Sequence, residues 1–242
     1  GVRYWYSTQP TVTKLADDRA EQLKRDPDRI LRTLESRLTA ELKRNKGDFD
    51  KVHAMPAGGH EVADETKVRL VVLRIEHGYS KEAGNAAEVA ARAILESRGN
   101  APRICRNTLV FLAADRNRVQ DLEEVVRLHL AWTSIVEEQT ALDLAPQQVA
   151  QAEAQQKLAD DAVDARIPET YQWLLAPVQE AKPGKGLSEI QWEHWSVNPG
   201  APNLSQEIER VLTENELLIT QWAPIHLAKV LRDWFWKDEI GR

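Results

Sequence analysis

The run KVRLVVLRI, residues 67–75, and the later run NTLVFLAAD, residues 107–115, decide the fold. Each is almost continuously apolar for the length of a strand. Successive strand side chains point to opposite faces, so an unbroken apolar run is expected only where both faces of the sheet are covered. Between the two lies an alanine-rich helical pattern, residues 85–97, closed by Gly99. A helix of that length is a suitable crossover, and the two runs are expected to be adjacent, buried strands of one sheet. After the second run, Val119, Leu122, Val126, Leu130 and Thr133 recur on one face of a long amphipathic helix.

Upstream, Ile30, Leu31, Leu34, Leu38 and Leu42 mark a helix over residues 27–46, with Pro27 in the first turn where its missing N–H costs nothing. Thr11 or Thr13 is expected to cap a shorter helix carrying Leu15, Arg19 and Leu23. Before it, Tyr4, Trp5 and Tyr6 stand in a strand pattern over residues 3–9 that Pro10 closes. Residues 48–54 read as a short strand, and Pro56, Ala57, Gly58 and Gly59 as a loop.

Downstream, residues 145–164 read as a helix with few large apolar residues, and residues 170–178 as a strand. Pro177 cannot donate to a ladder, so that strand is expected at a sheet edge. Residues 182–186, KPGKG, read as a linker to a tryptophan-rich segment with strands at 190–197 and 217–220 and helices at 204–215 and 224–236. The expected fold is α/β, with a mixed, largely parallel sheet, flanking helices and a small C-terminal α+β segment. Residues 1–181 form the α/β domain on this reading, and residues 187–242 a small module packed on it.

With 242 residues, 42% of them hydrophobic and 29% charged, the chain has enough apolar surface for a sizeable core, and general disorder is not expected. No apolar run approaches the roughly 18–20 residues needed to cross a bilayer, and no signal peptide is evident, which points to the cytoplasm. The single cysteine, Cys105, excludes an internal disulfide framework. Arg103 and Arg106 flank it and favour a thiolate, but no histidine is near in sequence, and a structural thiol is the simpler reading.

Few residues point to chemistry. A phosphate-binding loop needs several glycines followed by a lysine and a hydroxyl, and residues 183–188, PGKGLS, lack that spacing. Asp115 ends a hydrophobic strand, where many ATPases hold the acid that organises magnesium, yet Asp115 or Asn117 equally suits a helix cap. The six histidines form no short ligand pair, and His60, Glu61, Asp64 and Glu65 read as a solvated loop. No metal, cofactor or catalytic residue is assigned.

Arg3, Lys14 and Arg19, near Tyr4 and Trp5, are the candidates for contacting nucleotide or phosphate. The net charge of −6 argues against a broadly basic nucleic-acid surface. Residues 1–50 hold 11 Lys/Arg and 9 Asp/Glu, whereas residues 151–242 hold 9 and 15, so phosphate contacts belong in the first half. Trp222, Trp234 and Trp236 are the candidates for a protein interface.

The opening RYWYSTQPTVTKLADDRA, residues 3–20, together with NTLVFLAAD and the later LAKVLRDWFW, resembles an internal or C-terminal region of the large prokaryotic P-loop, AAA-type ATPases grouped as domain-of-unknown-function family 499. The first residue, Gly1, and the abrupt opening suit a segment taken from a longer protein. The resemblance implies a parent that binds ATP and magnesium through a phosphate loop lying outside this segment. It further implies a role in DNA transactions or phage defence, since some members are encoded near DNA methyltransferases and helicases. By analogy with ring ATPases, Arg3 or Arg19 would sense nucleotide held by a neighbouring subunit. The segment itself is then expected to be a non-catalytic accessory or interaction domain, whose partners are the rest of the parent ATPase or a second copy. A nucleic-acid-binding module is the alternative, with weak, salt-sensitive binding expected.

Overall fold

A computed structural model describes residues 11–44, 46–179, 181–182, 186–215 and 217. The expected strand at 3–9, the core of the linker at 183–185, and the strand and helix expected after residue 217 lie outside the described residues.

Local chemistry accounts for the starts of the helices. The Thr11 hydroxyl accepts from the Lys14 backbone N–H at 3.2 Å and opens α1 (Val12–Leu23). Pro27 is the first residue of α2 (Pro27–Arg44). Strands β1 (Lys51–Ala54) and β2 (Arg69–Val72) follow. Asn85 then caps α3 (Ala86–Glu96) by accepting from the backbone N–H groups of Ala87 and Glu88. A small hairpin, β3 (Ser97–Arg98) and β4 (Ala101–Pro102), leads to β5 (Leu109–Ala114) and α4 (Val119–Glu137). Next come α5 (Pro146–Thr170), β6 (Tyr171–Val178), the hairpin β7 (Ala181–Lys182) and β8 (Gly186–Leu187), β9 (Gln191–Ser196) and α6 (Leu204–Glu214).

The sheet order is β1-β2-β5-β6-β9. The first three strands are parallel, and β6 and β9 extend the sheet antiparallel, which gives the expected α/β class with a mixed sheet. The two runs that decide the fold are neighbours, with Leu70 opposite Val110 and Val72 opposite Leu112, and α3 is the crossover between them. Leu70, Val72, Leu112, Ala114 and Leu174 face a core built by α2, α4, α5 and α6. Val71, Leu73, Phe111, Ala113 and Leu175 face the opposite side, which α3 covers. Outside the first helix layer, α1 packs Val12 and Ala16 against α4 and α5.

The sequence reading needs correction at two places. Strand β6 is interior rather than an edge: it pairs with β5 on one side and β9 on the other. Its pairing with β5 stops at Leu175, so Pro177 lies past the ladder that would have needed its N–H. Helix α5 runs to Thr170 instead of stopping near 164, with Pro168 inside its last turn. Burial of Val163 and Ile167 in the main core, and the Thr170 hydroxyl donating to the Arg166 carbonyl, hold that turn against the proline. The segment after residue 187 supplies β9 to the central sheet and α6 to its main core. Among the described residues, no helix is long and apolar enough to cross a membrane.

Candidate functional site at the carboxyl end of the parallel strands

Ligands of open α/β sheets usually sit beyond the carboxyl ends of the strands, and here that region gathers around Asp115. Gly78 lets the loop after β2 come close, since a Cβ at this position would lie 3.0 Å from the Cα of Arg116. The Tyr79 N–H donates to the Ala114 carbonyl at 2.7 Å, and the Arg116 N–H returns a bond to the Tyr79 carbonyl at 3.0 Å. The Asp115 N–H donates to the Thr170 carbonyl at 2.7 Å. Three segments distant in sequence are thereby fastened at the end of β5.

The Asp115 side chain is bound from several directions. Its Oδ1 accepts from the Asn117 N–H at 2.8 Å, and its Oδ2 accepts from Gln172 Nε2 at 3.1 Å and Trp173 Nε1 at 3.0 Å. Burial pushes its pKa up, but the bonds from Trp173, Asn117 and Gln172, with Arg118 nearby, outweigh burial and hold it below the ordinary carboxylate value. Three of the roughly four acceptor sites on an ionised carboxylate are filled from within the protein. Little of this acid is left for a magnesium ion. It does not cap α4 either: Arg118 occupies the N-cap without a side-chain bond, and Asp115 shapes the turn before it.

Aromatic rings lie beside the carboxylate. Tyr79 and Trp173 stack with centroids 4.7 Å apart, and His194 from β9 sits 5.3 Å from Tyr79. Farther along the same sheet face, the Arg92 guanidinium of α3 lies 6.0 Å from the centre of the Trp192 ring, and Trp192 meets Phe111 edge to face. Tyr79 is buried, Trp173 and Trp192 are half-buried, and His194 is exposed.

Replacing Asp115 with alanine is expected to lower stability by about 2 kcal/mol, because the indole and amide donors lose a charged acceptor. The change should appear as a fall in the urea midpoint together with a shift in Trp173 fluorescence. Asp115→Asn should recover part of the loss by keeping one acceptor oxygen.

The candidates named from sequence are not gathered at this place. Lys14 is exposed and pairs with Asp18 at 2.7 Å. Arg19 is held by the Ser134 hydroxyl at 2.7 Å and by Glu138 at 2.7 Å, near the C-terminal end of α4. Asp115 precedes the other end of that helix, and 19 residues at 1.5 Å per residue set the two apart by about 28 Å. Arg3, Trp222, Trp234 and Trp236 lie outside the described residues. Among the described residues, no three His, Cys, Asp or Glu side chains come together as a metal site.

A second polar centre, at the opposite end of the sheet, escaped the sequence reading. Arg103 is buried and donates only to backbone carbonyls: Ile94 at 2.9 Å, Ala63 at 3.0 Å, Gly59 at 3.0 Å and Val62 at 2.9 Å. Arg69, also buried, donates to the Ala63 carbonyl at 2.6 Å and pairs with Glu65. Asp64 accepts from the backbone N–H groups of Ile104 and Cys105, at 2.8 Å each. On the loop after Gly59, His60, Glu61 and Glu65 are exposed, as expected of a solvated loop, while the Glu61, Asp64 and Glu65 carboxylates are each bound to a different partner. His53 on β1 is buried in the same area.

Comparison of this chain with protein-family models, curated proteins and solved structures gives no match.

Proposed function

We propose that this chain is a non-catalytic interaction domain of a larger ATP-binding protein, acting in the cytoplasm in a DNA transaction or in phage defence. The resemblance to domain-of-unknown-function family 499 supplies the parent and its setting. The observation that carries the non-catalytic part is the state of Asp115. An acid that organises magnesium needs an open edge, whereas this one accepts from Asn117, Gln172 and Trp173. The buried Arg103 guanidinium is likewise taken up by the backbone carbonyls of Ile94, Ala63, Gly59 and Val62.

The strand order supports the same reading. Among the described residues it follows chain order without a reversal, so the sheet lacks the crevice in which doubly wound domains hold nucleotides. ATP and magnesium then belong to the parent's own phosphate loop.

Titration of the chain with Mg-ATP in a calorimeter should give no saturable binding at micromolar concentrations, and a phosphate-release assay no turnover. Sedimentation with the remainder of the parent protein should give a complex. Saturable ATP binding with turnover overturns the proposal. The aromatic rings of Trp173, Trp192 and His194 beside Arg92 favour one other reading, a surface on which unpaired bases stack. Tight DNA binding at physiological salt, without any protein association, would establish that reading instead.

A further inference from the structure

A cleft of about 520 Å³ opens between α2, the last turns of α5 and the loop that leads into α6. Its floor is apolar: Leu38, Ile167 and Leu204 line it and are themselves buried. Its rim is acidic. Glu41, Asp160 and Asp164 contribute three carboxylates against the single guanidinium of Arg37.

The positions of these charges follow from the helices. Arg37 reaches from α2 to α5, donating to Asp160 and to Asp164, the latter at 2.5 Å. Behind Asp160 stands His129 of α4, with its Nδ1 3.6 Å away. Burial, and then the neighbouring Arg37, lower the His129 pKa, so the imidazole adds no positive charge near neutral pH. One carboxylate is therefore matched by Arg37 and the rim keeps a formal surplus of two negative charges. Glu41, one turn beyond Arg37, is exposed and has no partner among the described residues. The Asp164 side chain is 68% exposed, and Arg37 engages it through Oδ1 alone, which leaves Oδ2 without a partner among the described residues.

We infer that this cleft receives a basic side chain with an apolar stem, an arginine or lysine presented by a partner protein. Such a side chain lays its methylenes on apolar surface and holds its charged head in a polar rim. Pro168, Ala201 and Pro202, the accessible apolar lining above that floor, match the stem, and Glu41 with Asp164 matches the head. Arginine fits better than lysine, because its planar fork bonds two carboxylate oxygens at once. A phosphate backbone meets like charge at this rim. So, on average, does a second copy of a chain whose net charge is −6. The inference rests on the interaction-domain reading and names the chemistry of the segment that would be recognised.

The test uses the whole chain and a blocked synthetic peptide alternating leucine and arginine, with a second peptide in which glutamate replaces arginine. Titration followed by backbone amide resonances should show saturable binding of the arginine peptide, centred on Ala40 and Ala201. Raised salt should weaken it. The double variant Glu41→Gln with Asp164→Asn should stay folded, with a melting temperature lowered by a few degrees at most because the residue 164 amide oxygen still accepts from Arg37 and Asp160 still pairs with it, and should lose at least tenfold in affinity. No binding of the arginine peptide, equal binding of the glutamate peptide, or equal binding by the double variant overturns the inference.

Sedimentation with the remainder of the parent separates this failure from that of the broader reading. If the unmodified chain and the double variant associate equally well, the cleft is not the contact and the interaction domain stands. If neither associates, the interaction reading falls, and the peptide titration still decides the cleft.

Discussion

Substituting alanine for Arg103 is expected to destabilise the chain by about 4 kcal/mol, enough to remove a large part of the stability of a typical domain. The side chain is 2% exposed, and its guanidinium binds four backbone carbonyls belonging to residues 59, 62, 63 and 94. Removing it strands those acceptors in a region where water can replace only some of the bonds, at about 1–3 kcal/mol for each group left buried and unpaired. The loop cannot shift freely to compensate. A Cβ on Gly59 would lie 2.0 Å from the Ser97 carbonyl oxygen, so the backbone there is already in close contact with the strand after α3. Arg103→Lys should recover less than half of the loss, because three donors on one point cannot span carbonyls that surround a planar fork. Urea unfolding measures both variants, and an alanine variant within 1 kcal/mol of the parent chain would refute this account of the loop.

The contrast between Arg103 and the central strands explains what could be read from sequence. Strands β2 and β5 are legible because the need for two covered faces is written into consecutive residues, and α3 because Asn85 and Gly99 bracket it locally. The helix starts at Thr11 and Pro27 are legible for the same reason. Arg103, in contrast, lies 40 to 44 residues from the loop carbonyls it binds, and nothing in PRICR distinguishes it from a surface arginine. Asp115 was visible as the end of a strand, but its partners Gln172 and Trp173 lie 57 and 58 residues away. A helix cap was the best local explanation of a residue whose bonds are tertiary. Pro177 misled in the opposite direction: its local rule is sound, yet the rule concerns one N–H, and the ladder between β5 and β6 stops at Leu175, before the pairing that would require it. The acidic cleft between α2 and α5 was legible only as a charge surplus after residue 150, since the fold alone brings Glu41 beside Asp160 and Asp164.

Acid should destabilise the chain through His53 before most carboxylates are protonated. His53 stands on β1, is 8% exposed, and its Nε2 has no hydrogen-bond partner among the described residues. Burial lowers its pKa to about 4, with Lys51, Arg69 and Arg103 adding to the effect and the Glu61 carbonyl opposing it. In the unfolded chain the imidazole takes its ordinary value near 6.5. Above that pH both states hold it neutral and it contributes nothing to the pH dependence. Between 6.5 and about 4 the unfolded state binds a proton that the folded state refuses, so stability falls as pH falls. Below about 4 both states are protonated and this contribution levels off. The accumulated loss is on the order of 3 kcal/mol, at 1.36 kcal/mol for each pH unit of separation.

The carboxylates complicate the raw curve, because Asp50, Asp64, Asp115 and Glu207 all have lowered values and give up stability at still lower pH. Their contribution cancels in a difference. His53→Gln keeps a neutral polar side chain that takes up no proton. The stability of the parent chain minus that of the variant, measured by urea unfolding at successive pH values, should therefore be flat above pH 7 and fall by roughly 3 kcal/mol towards pH 4. A difference that stays constant over that interval would mean that the folded protein accepts the proton at His53 as readily as the unfolded chain, and that the niche between Arg69 and Arg103 is open to water.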